Sequence, residues 1–439
     1  MTHTPNLDQA RAALAAGDAQ AAFTALRSAL FDPDLVLDRS AFVETMTVFV
    51  AISRVLAGDA FAATVQAVVD APDDPQALYN LGYELIEQGL AGAAATVLQR
   101  ANYLAPQTEA IVTELSAALE RDLRYEAARD VLLAAPELLT RSFICRYLLA
   151  FSSLMSGDLA TARSVGRVLH PRSDDDGTMA QRIVQMLDRC DALEGVLPLD
   201  ERDLRGWHLA LTGGVLLHRS PYGLDEGMNG RYAFLQDSYE RCVAGTRLVA
   251  AALAACGITL RRVFGLPDRD SLILARAAAH LLNLPFEEWP AQGSTAPGLI
   301  VAYDLGASED EVLLSLHDKR PQQVLWAHAS CWTRDQWFAA DFTTYLYQKQ
   351  QSPWGARLQA GPEQGTTVTV PADAARAEEI AARVASAVPE RDDMADDEEL
   401  AAFLQAVLEQ ASATMMALRQ DGEREHQWAG SPVPSSRFS

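Results

Sequence analysis

Between an apolar run and a helical one, Pro267-Asp268-Arg269-Asp270-Ser271 sets two carboxylates, a guanidinium and a hydroxyl side by side. Such groups at a helix N-terminus could surround a phosphorylated ligand. A second loop, Tyr303-Asp304-Leu305-Gly306-Ala307-Ser308, adds Asp304 and Ser308. A third, Gly227-Met228-Asn229-Gly230-Arg231, could hold an anion on its N–H groups, although two glycines at that spacing also make a simple turn. His328, Cys331 and Asp335 could together supply a thiol nucleophile with a base. Cys331, however, sits in an apolar run, where an inert buried thiol is the commoner reading. His208 and His218 have no cysteine or acid at ligand spacing, and the triplet Asp174, Asp175, Asp176 reads as the start of a helix. No metal and no cofactor are expected.

The elements that must position these residues begin after Asp200. Trp207 to His218 reads as a hairpin around Gly213-Gly214, and a helix is expected from about Tyr232 to Cys256. A strand then opens at Gly257-Ile258 and runs through ITLRRVFGLP, and the helix LILARAAAHLLN follows the first loop. Further strands are expected at Phe286 to Trp289, Leu299 to Leu305, Gln323 to Cys331 and Thr366 to Val370, with the helix DAARAEEIAARVASAV last. Alternation of helices with continuous apolar strands predicts a mostly parallel sheet covered on both faces. In such sheets ligands lie beyond the carboxyl ends of the strands, where the first two loops fall. Trp326, Trp332, Trp337, Tyr345, Tyr347 and Trp354 concentrate aromatic rings in one segment, mostly as core, with a remainder available to a pocket or interface.

The stretch VFGLPDRDSLILARAAAHLLNLP resembles the pyrophosphate-loop strand and helix of type I phosphoribosyltransferases. GLIVAYDLGAS is similar to the strand that ends in their ribose-phosphate loop. The resemblance covers about a quarter of the chain and implies catalytic roles for Asp268, Arg269, Asp270, Ser271 and Asp304. Three departures count against activity. Tyr303 stands where the family has the first of two acids, Glu309, Asp310 and Glu311 stand where its loop closes on glycine, and AQGSTAP is too short for its catalytic lid. Three carboxylates at a phosphate cradle repel the ligand. The expectation is a fold relative without transferase activity. The rival expectation is an enzyme or sensor for a nucleotide or sugar phosphate.

Upstream, PQALYNLGYELIEQGLAGAAATVLQRANYLAP from Pro75 to Pro106 places Leu78, Leu81, Gly82 and Leu85 before a break at Gln88-Gly89, then Ala94, Leu98 and Ala101. This resembles the tetratricopeptide repeat (TPR), a helical hairpin of 34 residues. Steps of that length from Gly89 land on the turns at Leu123 and Gly157. Two looser pairs precede, with turns at Ala16-Gly17-Asp18 and Ala57-Gly58-Asp59. The resemblance implies an all-α solenoid with a groove for a partner protein or peptide. Asn80 suits a carboxylate clamp, but the repeats hold no lysine; Arg54, Arg121 and Arg146 are candidate groove cations, with solvated surface the plainer reading.

The balance of 36 basic to 59 acidic residues, net charge −23, excludes nucleic acid as a natural ligand. Five scattered cysteines and a start without a basic leader predict a reduced, cytoplasmic setting. Arginine in place of all lysines but Lys319 and Lys349, together with the alanine content, suggests a GC-rich, bacterial-type source, and no run approaches the ~18 apolar residues of a membrane span. The expected domains are helical repeats over 1–172, a helical connector over 173–198, an α/β domain over 199–390, and an acidic segment, amphipathic helix and disordered tail over 391–439. The helix carries an apolar stripe of Leu400, Phe403, Leu404, Val407, Leu408, Met415 and Leu418, for docking on its own chain or on a second copy. Together these features predict a protein-binding adaptor with a non-catalytic α/β domain; a structural oligomer assembled through that helix is the further alternative.

Overall fold

A computed structural model describes residues 3–221, 227–361, 367–389, 397–410 and 422–436. The chain divides into two compact units, 1–184 and 185–439. The first is helical and the second holds a mostly parallel sheet of seven strands. Among the described residues no helix is long and apolar enough to cross a membrane.

The helical unit contains α1 (His3–Ala15), α2 (Ala19–Leu30), α3 (Arg39–Leu56), α4 (Asp59–Asp70), α5 (Pro75–Glu87), α6 (Ala91–Leu104), α7 (Glu109–Arg121), α8 (Tyr125–Leu133), α9 (Pro136–Arg141), α10 (Phe143–Met155) and α11 (Leu159–Gly166). Most helices pack on the next in the chain, and α1 with α3, α5 with α7 and α7 with α10 also touch. One continuous core runs through α1 to α8, including Leu26, Phe42, Leu81, Leu98 and Leu115. The close approach of α5 to α6 depends on Gly82, because a Cβ there would stand 2.4 Å from Leu98 Cγ. The turns at Gly89, Leu123 and Gly157 all adopt left-handed backbone, with φ of 74°, 60° and 79°. Arg100 is buried and donates to the carbonyls of Val36 and Pro72 and to Asp73, pinning the longer link between α2 and α3.

Next comes α12 (Asp174–Leu193), whose first turn holds the three aspartates read as a helix start. The second unit then continues with α13 (Leu204–Thr212), β1 (Val215–Leu216), β2 (Tyr232–Gln236), α14 (Tyr239–Ala255), β3 (Val263–Gly265), α15 (Arg269–Leu282), β4 (Phe286–Glu288) and β5 (Gly298–Asp304). There follow α16 (Asp310–His317), β6 (Asp318–Lys319), β7 (Gln323–Cys331), β8 (Phe342–Gln351), β9 (Arg357–Ala360), β10 (Thr367–Val370), α17 (Ala377–Ala385), α18 (Asp397–Gln410) and β11 (Gly422–Glu423). The sheet runs β4-β3-β5-β7-β8, with β1 and β2 both on the far side of β8, and every pair in it is parallel. Each residue of β5 and β7 is buried, as their unbroken apolar runs require.

Four sequence expectations are corrected. The hairpin around Gly213-Gly214 is instead α13, capped by Asp203 and ended by left-handed Gly213. Its residues are buried all round, and an apolar run of that kind has no periodicity to separate helix from strand. The helix expected from Tyr232 starts only after Ser238, whose side chain caps α14, and Tyr232–Gln236 is strand β2. The long strand after Gly257 shrinks to β3. The end GSPVPSSRFS, expected to be disordered, is fixed over 430–436 together with the stretch from 422 that precedes it. β11 pairs with β6, Gln427 and Ser330 exchange hydrogen bonds, Val433 is buried, and Asn229 donates to the Pro434 carbonyl. The strand near Val370 forms as β10 but pairs only with β9, outside the main sheet. On α18, Leu400, Phe403, Leu404 and Val407 are buried and the helix packs on α14. Met415 and Leu418 lie outside the described residues.

The 422–436 segment is locked by charge. Asp341 accepts from Lys319 at 2.7 Å, from Arg424 at 2.8 Å and from the Leu325 N–H at 2.8 Å, all within the core. Burial alone would raise this carboxyl, but the Arg424 and Lys319 charges outweigh it and bring it to about 2. Its folded value lies below its unfolded one, so the stabilisation is complete above the ordinary carboxylate range and is lost as pH falls towards 2. Unfolding measured from about pH 5 to about pH 2 should show a loss of about 2 kcal/mol from this group. Asp341→Asn should remove that slope and cost about 3–5 kcal/mol at neutral pH, because two buried cations lose their partner. A variant as stable as the parent would refute this account.

Candidate functional site

From β3 the chain turns outward through α15 to β4, whereas from β5 it turns the other way through α16 to β7. The carboxyl ends of β3 and β5 therefore flank a topological switch point, the natural ligand position of such sheets. Both predicted loops lie there, joined by the Tyr303 N–H, which donates to Ser271 Oγ at 2.9 Å.

The side chains of the first loop are engaged within the fold. Asp268 Oδ1 caps α15 by accepting from the Ser271 N–H at 2.8 Å. Arg269 donates to the carbonyls of Asp373 and Ala375, and Asp270 accepts from Trp354 Nε1 at 2.7 Å. In the second loop, Asp304 accepts from the Tyr347 hydroxyl, from Gln350 at 3.4 Å and from the Gly306 N–H at 3.1 Å. Burial raises the Asp304 carboxyl despite these donors, and burial together with the Asp304 charge pushes the Tyr347 phenol up. The Gly306 and Ser308 N–H groups, which a phosphate would need, go instead to Asp304 and to the Leu305 carbonyl. Glu309 sits at the N-cap of α16 and Asp310 and Glu311 fill its first turn, so negative charge surrounds that helix end. Two buried oxygens on these loops have no hydrogen-bond partner: Asp268 Oδ2 and Ser308 Oγ.

The glycine loop carries the chain's own tail. Ser436 N–H donates to the Gly227 carbonyl, Ser220 N–H to the Gly230 carbonyl, and Arg231 donates to Ser431 Oγ and the Val433 carbonyl while lying over Trp332. Beneath this segment is a cavity of about 40 Å³ bordered by His208, Thr212, Arg231, Trp332 and Trp428. His208 Nε2 has no partner there, and burial, reinforced by the Arg231 charge, pushes its ring down to about 4. His218 pairs with the Tyr232 hydroxyl at 2.9 Å. Cys331 contacts Thr333 and Asp335 accepts from the Ala429 N–H, so the trio His328, Cys331 and Asp335 is dispersed among other partners.

Sequence reasoning missed the centre that His328 does join. Asp237 Oδ2 receives the Tyr303 hydroxyl at 2.7 Å, His328 Nε2 at 3.0 Å and Cys242 Sγ at 3.4 Å, while Oδ1 takes the Ser238 N–H at 2.8 Å. The side chains of His328 and Asp237 are both 0% exposed. Burial alone would raise Asp237, but the His328 charge and hydrogen bond, with Tyr303 and Ser238, hold it below the usual carboxylate range. Burial and the Asp237 charge push the Cys242 thiol and the Tyr303 phenol well up. Cys242 Sγ lies 3.9 Å from the same His328 nitrogen that meets Asp237. One nitrogen facing both partners gives no acid–base–thiol relay, and a thiol held protonated is a poor nucleophile. Among the described residues, Asp237, Cys242 and His328 form the group whose donor atoms gather as metal ligands do, within 4.8 Å of one another.

In the helical unit, Arg54 lies on α3, Asn80 on α5, Arg121 on α7 and Arg146 on α10, each the first helix of a packed pair. Asn80 accepts from Gln76, Arg54 contacts Asp59 at 3.5 Å, and Arg146 donates to the Leu139 carbonyl.

Gly245 makes the buried centre possible, because a Cβ at that position would stand 2.8 Å from His328 Nδ1. Gly245→Ala should destabilise the second unit by about 1–3 kcal/mol in urea unfolding, and a neutral effect would show that α14 does not rest on the His328 ring. No protein-family model and no curated protein matches the chain.

Proposed function

We propose that the chain is a binding adaptor: a TPR-like helical array that takes a protein or peptide, followed by an α/β unit of phosphoribosyltransferase-like type without transferase activity. The observation that carries the first half is the recurrence of left-handed turns at Gly89, Leu123 and Gly157 between packed helix pairs, at the spacing of that repeat. Leu123 adopts this backbone without being glycine, which supports a fixed turn geometry imposed on all three positions. Surface-exposed Val55 and Tyr83 lie on the same first helices as Arg54 and Asn80, Arg121 lies on the next first helix, and aromatic and arginine side chains are the usual anchors of an interface. The second half is supported by the engaged side chains and the acidic helix end at the switch point.

Leu81 and Leu115 are core residues at 0% exposure, so surface substitutions provide the cleaner test. Tyr83→Ala combined with Arg121→Glu should leave the circular dichroism unchanged and weaken capture of a photo-crosslinked partner tenfold or more, about 1.4 kcal/mol. Capture at parental strength would remove the adaptor reading.

A second reading, a sensor for a nucleotide or sugar phosphate, is favoured by one observation. Asp268 Oδ2 and Ser308 Oγ, one on each loop, are buried without partners, and such groups call for an explanation. A ligand at 100–1,000 times its Kd should stabilise the chain by about 3–4 kcal/mol in a thermal-shift panel of nucleotides and sugar phosphates. No shift across the panel excludes this reading.

A further inference from the structure

Three side chains of different donor type converge in the core of the second unit. Asp237 Oδ2, His328 Nε2 and Cys242 Sγ are separated by 3.0 Å (O to N), 3.4 Å (O to S) and 3.9 Å (N to S). A tetrahedral ion with bonds of about 2.0–2.3 Å to oxygen, nitrogen and sulfur sets its ligand atoms about 3.3–3.6 Å apart. Each separation lies within about 0.4 Å of that range. As hydrogen bonds alone the cluster is less well matched. Three donors crowd one carboxylate oxygen, which offers two lone pairs, and the thiol gains little at these lengths.

We propose that Asp237, Cys242 and His328 form a structural zinc site. One oxygen, one nitrogen and one sulfur suit a borderline ion, whereas calcium and magnesium take shells of oxygen alone. The Tyr303 hydroxyl donates to the same carboxylate oxygen at 2.7 Å, the outer-shell hydrogen bond that orients a ligating carboxylate. The three ligand residues and Tyr303 above them are buried, which marks the site as structural rather than catalytic, since a catalytic zinc keeps a position open to solvent. The ion joins the end of β2 (Asp237), α14 (Cys242) and β7 (His328), tying the helix to the sheet it covers. Binding displaces the Cys242 proton and the Nε2 proton that His328 directs at Asp237, both to solvent, so affinity rises with pH. The proposal is independent of the adaptor reading.

The test uses the full chain, produced in zinc-supplemented medium and purified without chelator. Elemental analysis should find one equivalent of zinc per chain. After chelation, reloading with cobalt(II) alone should give a thiolate-to-cobalt charge-transfer band. That band should vanish in Cys242→Ser and persist in Cys256→Ser, a buried cysteine at the end of the same helix. No stoichiometric zinc, no thiolate band, or a band that Cys242→Ser leaves unchanged overturns the proposal. The metal count on the unsubstituted chain stands even where a variant does not fold.

Discussion

A carboxylate sealed inside a helix–sheet layer has to be compensated by groups of the protein itself, and much of the second unit is arranged around that requirement at Asp237. Its donors come from β5, β7 and the first turn of α14, so the charge sets the depth at which the helix meets the sheet. Gly245 is the steric counterpart, admitting the His328 ring beneath the helix. The same requirement accounts for Tyr303. An acid at that position would set a second negative charge against Asp237, whereas a phenol donates to it. The phenol at position 303 is therefore coupled to the interior through Asp237.

Asp341 is balanced by a different device. Lysine and arginine from two separate segments share its two oxygens, and one of those segments is the 422–436 strap. Asp237 holds a helix to the sheet, and Asp341 holds a late stretch of chain to it. Breaking either leaves a charge uncompensated in the interior, which costs far more than the loss of an ordinary surface ion pair.

What the sequence revealed followed from local signals. β5 and β7 were legible as unbroken apolar runs, α15 from its Asp268 cap, and the helix pairs from the glycine and alanine spacing around Gly82 and Gly89. The misses share one cause. Asp237 was taken for a residue inside a helix, and two of its partners, Tyr303 and His328, lie 66 and 91 positions away, so nothing local marked it. The Ser238 cap one residue later was the signal that could have separated β2 from α14. β8 passed for an aromatic patch, although Phe342 to Tyr347 has the β-branched and aromatic composition of a buried strand. The strap looked polar and turn-rich because its order derives from distant acceptors such as Asp341 and from Asn229, rather than from an apolar face of its own.

The strap also dictates an order of events during synthesis. Arg424 leaves the ribosome 83 residues after Asp341 and more than a hundred after Lys319, whereas the helical unit is complete long before either. Until it emerges, the nascent sheet carries Asp341 with only half of its counter-charge. The helical unit can settle while translation continues, whereas the sheet reaches its final state only once Arg424 has emerged.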